Sequence, residues 1–351
     1  MTARFQLDEP IRRFTTALGW IAVFLVAGWV TGSLLRLVIP APTGSPWRLA
    51  GDAGAWALGY GLATWGIGRL LAKRSWRELG WTSYDGRDLV RTLLRRAGIG
   101  AALAVLAVVL AVALGGAHLG LTGDWPRYGR IALPAAIGLL AAALFEELLF
   151  RGFPLRTLAD VLGAWRATLI IAIGFALAHV GNPDAGLVGI LNIGLAAVWL
   201  SIAFFAPGGM SAAWGLHFGW NAGLALLFDA PVSGLTFSMP IVEYDPGRLS
   251  FVDGGAFGPE GGLAGTIAFA AGVAILIGGR WSRAQSWLAG TGAPPARRPP
   301  LPPRAARPTS PRPGMPAPKG PPRRPSGPGR PGAGGGRPGP GRSGPGPGRP
   351  R

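Results

Sequence analysis

The stretch Glu146-Glu147-Leu148-Leu149-Phe150-Arg151 ends an apolar run, Ile131 to Phe145, that has the character of a membrane span. A charge at the centre of a bilayer costs at least about 2.5–3.5 kcal/mol, and ionisable residues there usually mark a functional site. Two adjacent carboxylates therefore restrict what this chain can fold into. They need a partner, a bundle interior or a water-filled cavity. Glu147 and Arg151 are four residues apart, share a helix face and can pair. Glu146 is turned about 100° from Glu147 and points elsewhere. On these six residues alone, an ordinary ion pair at an interfacial helix end is an equal alternative.

Composition agrees with a membrane setting. Of 351 residues, 49% are hydrophobic and 14% charged, with mean hydropathy +0.34. That is too apolar for an ordinary soluble domain. The 14 Trp suit bilayer interfaces. The chain has no cysteine, which excludes disulfides, cysteine-rich zinc sites and thiol nucleophiles. Histidine chemistry has three candidates, His118, His179 and His217.

Apolar runs of near 20 residues cross roughly 30 Å of hydrocarbon. On that basis the fold class is an all-α polytopic membrane protein with about eight transmembrane helices. The spans are residues 14–39, 53–72, 97–114, 131–156, 165–180, 185–205, 210–228 and 263–277. No cleaved signal peptide precedes them, since a short apolar core with a small-residue cleavage site is missing. Basic residues cluster in the connection from Lys73 to Arg96, at Arg151, Arg156 and Arg166, and after the last span at Arg280 and Arg283. The loop from Asp229 to Gly262 carries six charged residues, five of them acidic. The positive-inside rule then puts both termini in the cytoplasm. The expected location is the bacterial plasma membrane.

Four regions follow. Residues 1–130 hold helices one to three, 131–229 a core of helices four to seven, and 230–290 an extracytoplasmic loop and helix eight. Residues 291–351 form a Pro/Gly/Arg tail. Net charge is +18, and the tail supplies thirteen basic residues and no acids, leaving +5 on the rest. Such a tail cannot bury enough apolar surface to offset its ordering entropy, so disorder is expected. Its functional reading is a polybasic arm for anionic lipid, at about 1 kcal/mol per basic residue near a membrane surface, with RNA or a Pro-binding partner as alternatives. Plain compositional drift explains it as well, and no specific nucleic acid is expected.

Two further polar groups lie in neighbouring spans. Phe175 and His179 share a helix face, and Asn182 just beyond either caps the turn or bonds the imidazole. His217 and Asn221 are four apart and present two hydrogen-bonding groups along one stripe. Interhelical polar contact, worth about 0.6 kcal/mol on average, explains one such pair. It explains less well why two of three histidines, a double glutamate and an asparagine fall in successive spans. His118, in a Gly-rich loop, is assigned no role.

In order, E-E-x-x-x-R, F-x-x-x-H and H-x-x-x-N on successive apolar helices resemble the CPBP family, the CAAX prenyl protease and bacteriocin-processing (Abi) intramembrane proteases. The likeness runs from about Leu133 to Gly223, and "FALAHVGNP" and "WGLHFGWN" look much like bacterial members. Residues before it and the tail match nothing specific. The resemblance implies an intramembrane endopeptidase acting on membrane-associated proteins or peptides. It implies that Glu146 and His179 activate a water, that His217 and Asn221 stabilise the oxyanion, and that Glu147 and Arg151 support the site.

The residue chemistry is compatible. A carboxylate in a low-dielectric cavity becomes a better base near neutral pH. Two donors on one stripe can face a developing oxyanion. No cofactor is expected. Glu146, His179 and His217 also have the composition of a His₂Glu zinc site, which leaves Zn²⁺ as a mechanistic alternative, although H-E-x-x-H is absent. A non-catalytic membrane scaffold or transporter is the alternative from another class.

Overall fold

A computed structural model describes residues 9–39, 44–82, 85–239 and 241–278. The tail, residues 291–351, lies outside them, as do Arg280 and Arg283. Each of the eight expected apolar runs forms a helix. They are α1 (Glu9–Val38), α2 (Arg48–Ala63, continued by a π-helical turn to Leu71) and α3 (Gly86–Leu110). Then come α4 (Trp125–Glu147), α5 (Phe153–Leu162), α6 (Ala164–Ala178), α7 (Leu187–Phe205) and α8 (Gly209–Ala222). A short α9 (Ser250–Asp253) precedes α10 (Leu263–Gly278).

Among the described residues, four helical segments are long and apolar enough to cross a membrane: Glu9–Val38, Gly86–Gly115, Trp125–Leu162 and Leu187–Phe205. α6 and α10 are apolar but shorter. Large apolar side chains such as Val26, Trp29, Ile173 and Leu177 face outward. That surface suits lipid, which solvates it at no cost.

Local chemistry sets the helix ends that matter. Asp85 and Asp124 cap α3 and α4 by accepting from the backbone N–H groups of Arg87 (3.0 Å) and Arg127 (3.1 Å). The fourth run is not one continuous α-helix. α4 stops at Glu147, and Leu148–Gly152 form a π-helical turn before α5. Pro154, at the start of α5, has no N–H with which to continue the ladder. Such turns recur at functional sites, and this one starts directly after the glutamate pair.

α8 lies against α3 along a seam of small residues. A Cβ on Gly219 would stand 2.0 Å from the Ala97 carbonyl oxygen, and one on Gly100 2.2 Å from that of Leu216. Gly215 and Gly223 extend the same row at four-residue spacing, each close to α3. Backbones this close gain dispersion contacts and leave no room for a side chain. On another side of α8, Trp220 stacks on Phe269 of α10 with ring centres 4.2 Å apart and meets Trp199 of α7 edge-on. Trp214 donates to the Leu140 carbonyl of α4 at 2.9 Å. The position of α8 is thus fixed from α3, α4, α7 and α10.

The segments expected as plain loops are more ordered than that. β1 (His118–Leu121) pairs antiparallel with β2 (Val242–Asp245), His118 opposite Asp245. The Asp229–Gly262 loop also buries two of its five acids, Asp253 and Glu260. Asp253 accepts from the N–H groups of Gly247 (2.7 Å) and Gly255 (2.9 Å), and Tyr244 donates to its carbonyl at 2.9 Å. The acidity read as an external charged loop is therefore partly internal structure.

The seam gives the first prediction. Gly219→Val forces α8 away from α3 by the width of a side chain. Its melting temperature in detergent should fall by several degrees, as expected for a loss of about 2 kcal/mol or more. Gly61→Val, where a Cβ meets nothing within 4 Å, should melt like wild type.

Candidate active site

Glu147 is completely buried, and so is Arg151. Arg151 Nη1 donates to Glu147 Oε1 at 3.2 Å, the i,i+4 pair that the spacing predicts. The guanidinium also lies over the Phe175 ring of α6, 4.3 Å from its centre. A desolvated cation over an aromatic face is worth about 2 kcal/mol. Glu147 does more than the spacing predicts. The same Oε1 accepts from His217 Nδ1 at 2.9 Å, across 70 residues of sequence. The support residue thus joins α4 to α8.

Glu146 points differently, as its position on the helix requires. Its Oε2 lies 3.7 Å from His217 Nε2, too far for a hydrogen bond. That oxygen is buried and has no hydrogen-bond partner among the described residues. His217 therefore stands between the two glutamates, bonded to one and beside the free oxygen of the other.

His179 is the C-cap residue of α6. Its Nδ1 lies 2.7 Å from the Phe175 carbonyl oxygen. A carbonyl only accepts, so Nδ1 carries the proton, and Nε2 of the neutral ring holds the lone pair. The ring packs on Phe175, centres 4.6 Å apart, and Phe175 meets His217 edge-on at 6.2 Å. Phe175 thus touches Arg151, His179 and His217, which explains why an aromatic precedes the histidine by one turn. Asn182 caps the turn through its N–H to the His179 carbonyl (3.1 Å). Its side chain turns away from the imidazole and donates to the Ser233 carbonyl at 2.9 Å.

His179, His217 and Asn221 line one small cavity of about 20 Å³, room for about one water. Glu146 does not line it and makes no hydrogen bond to His179; it reaches the cluster through His217. The expected residues divide into a carboxylate side (Glu146, Glu147, Arg151) and a cavity side (His179, Asn221), with His217 in both. His118 sits in β1 away from them.

Among the described residues, no three of His, Asp and Glu stand where they could hold a metal ion. His217 Nδ1 is committed to Glu147, and of the other two residues only Glu146 stands beside its Nε2. Glu146, His179 and His217 are thus not gathered into one three-ligand group in this arrangement.

Of the lining residues outside the three motifs, one is charged. Glu260, from the acidic loop, shares the lining with His179 and Asn221. Two signals pointed to it. Trp220 carries an indole N–H that needs a partner once buried. The run Gly254-Gly255-Ala256-Phe257-Gly258-Pro259-Glu260-Gly261-Gly262 is too rich in glycine for a simple solvated loop; Gly254 and Gly258 sit at φ +86° and +89°.

The buried pair gives the second prediction. Arg151→Ala leaves Glu147 charged and short of a donor, a change that costs about 3–5 kcal/mol in buried pairs. Folded yield and melting temperature in detergent should both drop. Glu147→Gln should do the same and also release His217. His118→Ala should change neither quantity, and a loss there would contradict this assignment.

Residues 128–223 match the family model described as type II CAAX prenyl endopeptidase Rce1-like. Comparison with curated proteins and with solved structures gives no match. The matched stretch runs from the first turn of α4 to the end of α8 and contains all seven residues singled out by the three motifs. Over this stretch the chain is similar to the Rce1-like endopeptidases.

Proposed function

We propose that this protein is an intramembrane endopeptidase that cleaves membrane-associated proteins or peptides with a water activated by Glu146 and His179. The observation that carries the reading is the geometry at His217. Its Nδ1 is tied to Glu147 at 2.9 Å, while Nε2 faces the unpartnered oxygen of Glu146 at 3.7 Å. A buried carboxylate oxygen without a donor is rare in a finished core and common at a site built to accept a proton.

In this mechanism Glu146 takes a proton from water as the oxygen attacks the scissile carbonyl. His179, with its lone pair at Nε2, orients that water. The carbonyl electron pair moves onto oxygen, and His217 Nε2–H and the Asn221 amide donate to the oxyanion. Glu147 offsets the charge that a second proton places on His217. As the intermediate collapses, Glu146 passes its proton to the leaving nitrogen. One water is consumed, and one carboxylate and one amine result. The reaction needs no metal, and a strong chelator should leave the rate unchanged. Loss of cleavage on chelation with recovery on added zinc would replace this mechanism by the metal-dependent one.

Purified wild type and variants, reconstituted in vesicles and scored by the mass of released fragments, test the roles. Glu146→Gln keeps the shape and removes the proton acceptor, so cleavage should fall by at least about 10³-fold in a folded protein. His179→Ala should behave alike. Asn221→Ala loses one oxyanion donor, typically about 10²–10³ in rate, and should retain a trace. Full cleavage by Glu146→Gln would refute the mechanism. A scaffold or transporter role would instead leave cellular function intact in that variant.

We place all eight apolar helices across the plasma membrane with both termini in the cytoplasm, on the basic connection after Lys73 and the acidic loop after Asp229. Three exposed or half-buried acids, Asp229, Glu243 and Asp245, still carry that asymmetry. Reporter fusions after Pro46, Arg77, Gly123 and Asp245 should read outside, inside, outside, outside. An inside reading at Asp245 would overturn the eight-span arrangement.

A further inference from the structure

Glu260 belongs to none of the three motifs, and the mechanism above gives it no step. It is only 3% exposed. Its Oε1 accepts from Trp220 Nε1 at 2.7 Å, and its Oε2 accepts from the backbone N–H and, at 2.9 Å, the hydroxyl of Ser233. Asn192 of α7 donates to the Glu260 carbonyl at 2.8 Å and to that of Gly262 at 2.9 Å, which fixes the loop on α7. A buried carboxylate is costly unless donors surround it. Here three do.

The two ends of this network lead to the two halves of the cavity. Trp220 adjoins Asn221 and follows His217 by three residues on α8. Ser233 heads a tight turn closed by the Val232–Leu235 bridge, with φ +49°. Its carbonyl accepts from the Asn182 side chain, and the Asn182 N–H holds the His179 carbonyl. His179, Asn182, Ser233, Glu260 and Trp220 thus form one continuous chain of hydrogen bonds and backbone from α6 to α8. Sequence alone does not tie these helices: α7 intervenes, packs on both, and carries no polar group to either histidine.

We propose that Glu260 is a positioning residue that holds the His179 end of α6 at working distance from His217 and Asn221 by fastening the Ser233 turn to Trp220. It rests on the peptidase reading for its consequence in catalysis but not for the tether itself. α5, α7 and the Phe175 contacts hold the body of α6, whereas the turn after His179 meets the Ser233–Gly234 turn through Asn182 and Pro183. The intrahelical bond of His179 to Phe175 sets the ring, not the place of α6. A misplacement of about 1 Å in a catalytic group can cost about 10²-fold in rate. An apolar residue at position 260 could fill the same space but could not clasp Ser233 and Trp220 together.

The absence of cysteine makes the tether measurable in the full chain. Leu177 at the end of α6 and Leu235 in the Ser233 turn are 64% and 51% exposed. Spin labels on Leu177→Cys and Leu235→Cys should give one narrow distance distribution in otherwise native protein. Glu260→Gln puts an amide N–H₂ against the Ser233 N–H, so the distribution should broaden and gain a longer component. Trp220→Phe cuts the other end of the clasp while keeping an aromatic, and should act alike if Glu260→Gln does not fold. For activity, the probe is any membrane-protein terminus that cells make with wild type and fail to make with Glu146→Gln. On it, kcat of Glu260→Gln should fall by about 10²-fold with KM within about twofold. Glu260→Asp should recover part of that loss, and Glu243→Gln, exposed on β2, should match wild type. An unchanged distance distribution in both Glu260→Gln and Trp220→Phe overturns the proposal, whatever kcat does. A changed distance with unchanged kcat overturns its catalytic half. If no terminus depends on Glu146, the peptidase reading fails, and the distance alone decides the tether.

Discussion

The site depends on one fully buried carboxylate. Glu147 accepts from Arg151 and from His217 through the same oxygen. A charge so placed is tolerable only with both partners present, and each partner makes a demand on the fold. Arg151 must return one turn later on the same face, and its guanidinium is covered by Phe175 from α6. His217 must arrive from α8, whose glycine row lets it meet α3 backbone to backbone and whose Trp214 bonds to α4. The π-helical turn after Glu147 then redirects the chain into α5. Three helices converge because a buried charge requires them to.

The two site histidines are held in different ways. His179 gives its Nδ1 proton to a neutral carbonyl on its own helix, which fixes the tautomer and adds no charge. His217 gives its Nδ1 proton to a carboxylate on another helix. The first arrangement suits a ring that accepts at Nε2, the second a ring that donates there. This difference underlies the opposite roles proposed for them. The two members of the double glutamate are unlike in their bonds: Glu147 holds His217 and Arg151 through Oε1, Glu146 holds neither, and Oε2 of each lacks a hydrogen-bond partner among the described residues.

Contacts within one helix were readable from spacing alone. Glu147 with Arg151, and Phe175 with His179, follow from i,i+4 geometry, and each apolar run became a helix. Contacts between distant segments were not. Nothing in spacing joins Glu147 to His217 or Glu260 to Trp220, since such pairs depend on how helices pack. The π-helical turn was hidden because an apolar run of 26 residues, 131–156, reads as one span whether or not its ladder slips. Charge counting misled most in the Asp229–Gly262 loop. An acid counts the same in a sequence whether it faces water or, like Asp253 and Glu260, is buried under hydrogen bonds. The Rce1-like match covers the helices that carry the motifs; the loop that completes the cavity lies beyond it.

The proposed catalysis depends on Glu146 as the proton acceptor of a peptide hydrolysis inside the membrane. An unbiased comparison of membrane-protein termini in cells carrying wild type or Glu146→Gln, at matched amounts of folded protein, addresses that most directly. A discrete set of termini should be present with wild type and missing with the variant, next to or within apolar segments. Identical sets of termini, with the cellular function intact in Glu146→Gln, would contradict that role of Glu146.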